Sequence, residues 1–471
     1  MFRSRRVEPH RPGPESVAAH GAPVLFEPEG FHVGDRARPI RYRDITHLGV
    51  SRRGLAIGTV DDLILIRRAK FATEESMESL GRALMDRVAR APGGDLQLAR
   101  MAEIDAMMRV RPPRRATTAF VLACLAVLLL QLKDPFLQRA GSFVPELVAA
   151  GEIWRIVTAN FLHEMLLFPF HIGINLVCVV AFGRMVERIL GSGRTIALMG
   201  ASALGCMLGC TVAGYPEVVG ASGVVAGLAG ALLAIELRGG RRLPVWWRLP
   251  RRLFIAALLL QVAIDITVPY IAAAAHVGGF LAGHLAAWIM LDGAQLGRPL
   301  GRVRRGLAVA VAAAAALSFI SLTPLAGRSP EALERHAIRL LHTRTLTAER
   351  DNEVAWLIAT ETAASEHGLR AAAALAERAV ARSQRADPDI LDTLAEVRFA
   401  MGDPVGALDA IDEAIAMARD DPYFREQRRR FTGERAADDR PDAPNLPWIL
   451  RAPEAPFSPD DPRGDEDGIW I

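Results

Sequence analysis

The chain has 471 residues, 51% of them hydrophobic and 23% charged, with a formal net charge of +3. That charge is too small to imply a nucleic-acid partner, and the mixture points to an apolar membrane core with polar domains attached. All four cysteines, Cys124, Cys178, Cys206 and Cys210, fall inside apolar stretches, which argues against a disulfide framework and makes them buried small residues.

The first residues, MFRSRRVEPHRPGPES, lack the apolar run of a cleavable signal peptide, so this end is expected to stay in the cytosol. From about 22 to 70, short apolar and polar runs alternate between Gly and Asp breaks, a strand-and-turn pattern, and ATEESMESLGRALMDRVAR then reads as an amphipathic helix. Residues 1–110 are thus expected to form a small α+β domain, a sheet closed by one helix, which in its order of elements resembles bacterial pleckstrin-homology-like domains.

Seven apolar stretches follow, at about 116–132, 168–187, 195–214, 218–237, 253–270, 273–292 and 306–323, each near the roughly 20 residues that span a hydrocarbon core. Arginines cluster before the first stretch (Arg109, Arg111, Arg114, Arg115) and after the second, fourth and sixth, including Arg188, Arg194, Arg241, Arg248, Arg298 and Arg305. These loops share one side, so the positive-inside rule puts the N-terminus in the cytosol and everything after 323 on the other face. The fold class expected is mainly α: a polytopic helical bundle over 111–325, flanked by the N-terminal domain and a C-terminal helical repeat domain over 326–435. In the latter, Asp387-Pro388 and Asp421-Pro422 stand 34 residues apart, with Pro read as ending a helix pair, a period that resembles the tetratricopeptide repeat. Residues 436–471, rich in Asp and Pro, are expected to be disordered.

Ionisable and hydroxyl groups inside apolar segments are costly and mark functional sites by default. The fourth stretch opens with GASGVVAGLAG, where Gly220, Gly223, Gly227 and Gly230 leave a bare helix face around Ser222. Alone, this is better explained as a small-residue packing face, with the serine hydrogen-bonded to its own backbone. The sixth stretch, AHVGGFLAGH, places His276 at its outer end with Gly279 and Gly283 on the same face, so two bare helices can meet with a hydroxyl and an imidazole at similar depth. A serine hydroxyl needs an adjacent base, and histidine is the usual one. The second stretch, FHIGINLVCV, sets His171 and Asn175 one turn apart, both able to donate hydrogen bonds to a developing oxyanion; the plainer reading is an interhelical hydrogen-bond pair.

Together these residues resemble the rhomboid family of intramembrane proteases. The resemblance rests on Trp154-Arg155 in the first external loop, His171 and Asn175, the run GRMVERILGSGR with Gly183, Glu187 and Gly191, then Gly220-x-Ser222-Gly223, and Ala275-His276-x-x-Gly279-x-x-x-Gly283. It covers about 135–295 and implies a six-span core plus a seventh helix, Ser222 as nucleophile, His276 as general base without an acidic third member, and an oxyanion hole from His171, Asn175 and the serine N–H. It also implies hydrolysis of peptide bonds in or beside transmembrane segments of membrane-protein substrates entering between the second and fifth segments, with no metal and no cofactor. Two positions depart from the pattern: Ala226 stands where an aromatic usually supports the imidazole, and His163 lies eight residues before His171 instead of five or six. Asp265, eleven residues before His276, is not assigned a part in the dyad.

The layout, with two lysines against 54 arginines, is like that of bacterial members with C-terminal repeats, in the cytoplasmic membrane among lipid, with a protein partner at the repeats. A catalytically silent membrane-protein binder and a repeat scaffold with a membrane anchor are the competing readings. The presence of both Ser222 and His276 speaks against the first, and the additional His171 and Asn175 against the second. On this reading the repeats recruit a ligand and take no part in bond cleavage.

Overall fold

A computed structural model describes residues 24–33, 38–109, 114–165, 168–239, 243–244, 247–268, 271–291, 301–344, 346–360, 363–441 and 469–470. The expected disordered tail falls mostly outside them, as do Arg111, Arg241 and Arg298.

The N-terminal domain holds two antiparallel three-stranded sheets: β1 (Val24–Phe26), β2 (Gly30–Val33) and β3 (Ile40–Arg41), then β4 (Ile45–Ser51), β5 (Gly54–Thr59) and β6 (Leu63–Arg67). The alternation of β6, exposed at Leu63 and Leu65 but buried at Ile64 and Ile66, turns one face onto a core with Leu55, Ile57, Leu80 and Leu84. Helix α1 (Glu74–Arg90) supplies the last two; Thr73 caps it by accepting from the Ser76 N–H while the Ser76 hydroxyl oxygen accepts from the Thr73 N–H. A second helix, α2 (Gly94–Arg109), packs beside it, so the expected single sheet and single helix become two of each.

The seven apolar stretches form α3 (Arg115–Lys133), α7 (Phe170–Leu190), α8 (Ser192–Ala213), α9 (Ser222–Gly239), α10 (Arg251–Thr267), α11 (Ala273–Met290) and α12 (Arg302–Ala326). Of the described helices, α3, α8, α11 and the Arg305–Ala326 part of α12 are long and apolar enough to cross a membrane. Leu129, Leu208, Leu259 and Ile320 are each more than half exposed, on a scale that water would penalise and lipid would not. Between α3 and α7 the chain folds into three short helices, α4 (Phe136–Gly141), α5 (Pro145–Ala149) and α6 (Arg155–Thr158). The run before Ser222 is extended, with β7 (Glu217–Val218) bridged to Phe143 and, on its other edge, parallel to β8 (Ile469–Trp470). Residues 218–221, expected as helix, therefore precede it.

The C-terminal domain comprises α13 (Pro330–Leu341), α14 (Ala348–Thr360), α15 (Glu366–Arg382), α16 (Pro388–Ala400), α17 (Pro404–Met417) and α18 (Pro422–Phe431), each packed on its neighbour in sequence. The Asp-Pro pairs begin helices: Asp387, Asp403 and Asp421 accept hydrogen bonds at the N-termini of α16, α17 and α18, and Pro takes the first helical position, where its missing N–H costs nothing. This domain shares one continuous apolar core with α4 and α5, joining Leu333 and Leu340 to Phe136 and Leu147. At the opposite end of the bundle, Arg248, between α9 and α10, donates to the Val60 carbonyl of β5's following turn at 2.8 Å. The first and third connections thus meet the C-terminal domain, and the fourth meets the N-terminal domain.

Within the bundle α11 is wedged between α8 and α9. A Cβ on Gly279 would fall inside contact distance of the Gly223 carbonyl, one on Gly283 inside that of Gly227, and one on Gly278 inside that of Gly205. A mid-helix Gly→Ala change ordinarily stabilises by about 1 kcal/mol, whereas overpacking costs about 1–3 kcal/mol. Gly279→Ala should therefore lower the thermal unfolding temperature in detergent, while Gly306→Ala in α12, with nothing within 4 Å, should leave it unchanged or raise it. Equal stability of the two variants would contradict the close approach of α9 and α11.

Candidate active site

Ser222 is the first residue of α9, where N–H groups lack intrahelical acceptors. It is reached through Gly220, whose φ of 129° a side chain rarely adopts and whose N–H donates to the Ala159 carbonyl at 2.9 Å. The contacts Gly223–Gly279 and Gly227–Gly283 share one offset of 56 positions between α9 and α11. His276 is therefore level with residue 220, two residues from Ser222, a separation along the axis of about 3 Å. His276 is buried, and its Nε2 makes no hydrogen bond, to Ser222 or to any other described group.

The imidazole is held from its other side. Nδ1 lies 2.8 Å from Oδ1 of Asp265 on α10, and Gln261 donates to that same oxygen at 2.7 Å. With a carboxylate oxygen as acceptor, Nδ1 carries the proton and Nε2 keeps a free lone pair, the state a general base requires. Sequence spacing left Asp265 outside the dyad; the structure puts it in contact. The signals available were an acid in a mostly apolar segment and its spacing of eleven residues before His276.

His171, near the start of α7, turns Nε2 toward Gly220, so that a Cβ there would lie 3.0 Å from it, while its Nδ1 accepts from the Glu164 N–H at 3.2 Å. Nε2 therefore carries the proton and faces the turn before Ser222. His163 packs edge-on against His171 with ring centroids 5.2 Å apart, a support that its sequence spacing did not reveal. Asn175 is buried one turn further along α7 and donates to the His171 carbonyl at 3.1 Å, so one of its two amide hydrogens remains for another acceptor. His171 thus meets Gly220, the helix register sets His276 two residues from the level of Ser222, and Asn175 lies one turn along α7 from His171.

The remaining motif residues are structural. Trp154 Nε1 donates to the Ala140 carbonyl at 3.2 Å, and Arg155, fully buried, donates to the Ser142 carbonyl at 2.7 Å, closing the α4–α6 loop. Glu187 lies sixteen residues beyond His171, about 24 Å along α7. There its carboxylate accepts from the Ala116 and Thr117 N–H groups at 2.8 and 3.0 Å, capping α3, while Gly183 makes room for Thr117.

Residues 150–293 match the family model of the Rhomboid domain. RHOMBOID-like protein 5 of Arabidopsis thaliana is 31% identical over 171 residues, 35% of this chain and 52% of that protein. Rhomboid protease GluP of Bacillus subtilis is 30% identical over 148 residues, 31% of this chain and 28% of that protein. Rhomboid protease GlpG of Pectobacterium atrosepticum is 34% identical over 143 residues, 29% of this chain and 48% of that protein. The chain thus carries a rhomboid domain related to named proteases, and spans about half or less of the length of these relatives.

Asp265→Ala should slow the labelling of Ser222 by a fluorophosphonate about tenfold or more, because the imidazole loses the partner that fixes its tautomer. A wild-type labelling rate would reduce Asp265 to a tether for α10.

Proposed function

We infer that this chain is an intramembrane serine endopeptidase, cutting membrane-protein substrates in or beside their transmembrane segments. One observation carries the reading: the shared register of α9 and α11 sets Ser222 two residues, about 3 Å along the axis, from the level of a buried imidazole whose Nε2 is unbonded and whose Nδ1 is occupied. Ser222 acts as nucleophile and His276 takes its proton and returns it to the leaving amine. The carbonyl oxygen that gains charge is met by the N–H groups at the start of α9, by His171 Nε2, and by the free amide hydrogen of Asn175. All of these come from the chain itself, and the mechanism asks for no metal or cofactor.

A helix in lipid hides its own carbonyls in hydrogen bonds, so a substrate must offer a short extended stretch with small or helix-destabilising residues. It enters between α7 and α10. In support, α10 has no buried residue and is the helix least fixed to the bundle. The arginine-rich even connections put the N-terminal domain in the cytosol of a bacterial cell, with seven crossings of the cytoplasmic membrane and the site and C-terminal domain near the other face. A silent binder or a scaffold would have no use for an unbonded, buried Nε2 beside a serine.

In detergent with a model transmembrane substrate, Ser222→Ala and His276→Ala should each lose at least about 10³-fold in kcat with folding intact, and Asn175→Ala up to about 10²-fold. Substantial cleavage by folded Ser222→Ala protein would exclude the serine mechanism, and an unchanged Asn175→Ala rate would remove Asn175 from the oxyanion hole.

A further inference from the structure

The α4–α6 loop and the strand leading to Ser222 are both gripped by the C-terminal domain. Glu152, fully buried, accepts from Arg155 Nε at 2.7 Å and, on its other oxygen, from Nδ1 of His336 in α13 at 2.7 Å. Burial alone would raise this carboxyl; Arg155 and His336 reverse that and hold it below the usual carboxylate range. Arg350 of α14, 3% exposed, donates Nη1 to Glu217 at 2.7 Å and Nη2 to the Arg139 carbonyl. Arg155 reaches that same carbonyl at 2.9 Å. One buried arginine from each domain therefore closes on the turn after α4.

Glu217 begins β7. Its neighbour Val218 exchanges two 2.9 Å hydrogen bonds with Phe143, Gly220 is tied to Ala159, and Ser222 follows five residues after Glu217. No slack separates the salt bridge from the serine. Further contacts run beside it, Arg139 to Glu353 at 3.0 Å and the Arg344 N–H to Glu146 at 2.7 Å. Buried ion pairs contribute little net stability against well-packed apolar groups, yet losing one partner strands a charge, so such pairs fix geometry more than they add stability.

We propose that α13 and α14 form an intramolecular clamp in which Arg350, through Glu217, and His336, through Glu152, set the position of Ser222. The C-terminal helical domain is then part of the reactive unit, and a ligand bound to its outer helices has a direct mechanical route to turnover. None of these side chains touches the reacting atoms; they are positioning residues. The proposal rests on the reading of Ser222 as nucleophile and departs from the expectation that the C-terminal repeats take no part in bond cleavage.

The test uses the full chain in detergent, with thermal unfolding, kcat and KM on a transmembrane substrate measured for Arg350→Met, Glu217→Gln and the double variant. Arg350→Met should fold and lose about tenfold to a hundredfold in kcat, the scale of a sub-ångström to ångström misplacement, with KM within about twofold. Adding Glu217→Gln should recover part of the loss, since no carboxylate is left stranded. A folded Arg350→Met protein with wild-type kcat, or a double variant no better than the single, would overturn the clamp. Should Arg350→Met fail to fold, His336→Ala carries the same comparison, and wild-type kcat there would overturn it equally. Ser222→Ala run alongside separates the two readings: cleavage by that variant removes the serine reading, whereas an inactive Ser222→Ala beside a fully active Arg350→Met removes the clamp alone.

Discussion

Backbone lies against backbone where α11 crosses α9, with no Cβ between Gly223 and Gly279 or between Gly227 and Gly283. In lipid there is no hydrophobic gain from moving a side chain off the tails and onto another helix, so association depends on contact density and on how near the backbones come. Bare helix faces meet that demand and leave one register available. The depth of His276 relative to Ser222 follows from this register, and α8 extends the same logic to the far side of α11 through Gly205 and Gly278. Few other parts of the bundle could shift without carrying the two residues apart.

The polar groups divide between the two ends. At one, Glu187 satisfies the opening N–H groups of α3 and locks α3 to α7. At the other, Glu152, Arg155, Glu217 and Arg350 surround the turn after α4. Between them the bundle keeps its ionisable groups to a minimum, and the contact of Asp265 with His276 is the tie that α10, with no buried residue, makes to the imidazole of α11. A helix loosely packed yet hydrogen-bonded to the imidazole links its own movement to the state of that imidazole.

Much of this is legible in the chain itself. Ser222 and His276 stand out because each sits in a glycine series whose spacing is helical, and the same glycines that mark the residues also bring them together. Asp265 did not stand out, since a spacing of eleven residues across a helix end says nothing about which way the side chain turns. The extended run before Ser222 was read as helix because Val218, Val219 and Ala221 are as apolar as the helix that follows, and only pairing with Phe143 decides between the two. Nothing in the local sequence around Arg350, His336 or Glu217 marks them as buried. Their burial depends on contacts made across 133 and 184 residues of sequence, which no local pattern encodes.

That separation sets an order of events during synthesis. Helices inserted from the N-terminal side bring α9 and α11 together while Arg350 is still to be made. At roughly 5–20 residues per second, the 133 positions from Glu217 to Arg350 take about 7–27 seconds to emerge. Throughout that interval Glu217 lacks Arg350, for most of it Glu152 lacks His336, and the strand before Ser222 is held only from the bundle side, by Phe143 and Ala159. On the clamp proposal, a nascent chain meets neighbouring helices at the insertion machinery before the domain that positions Ser222 has been made.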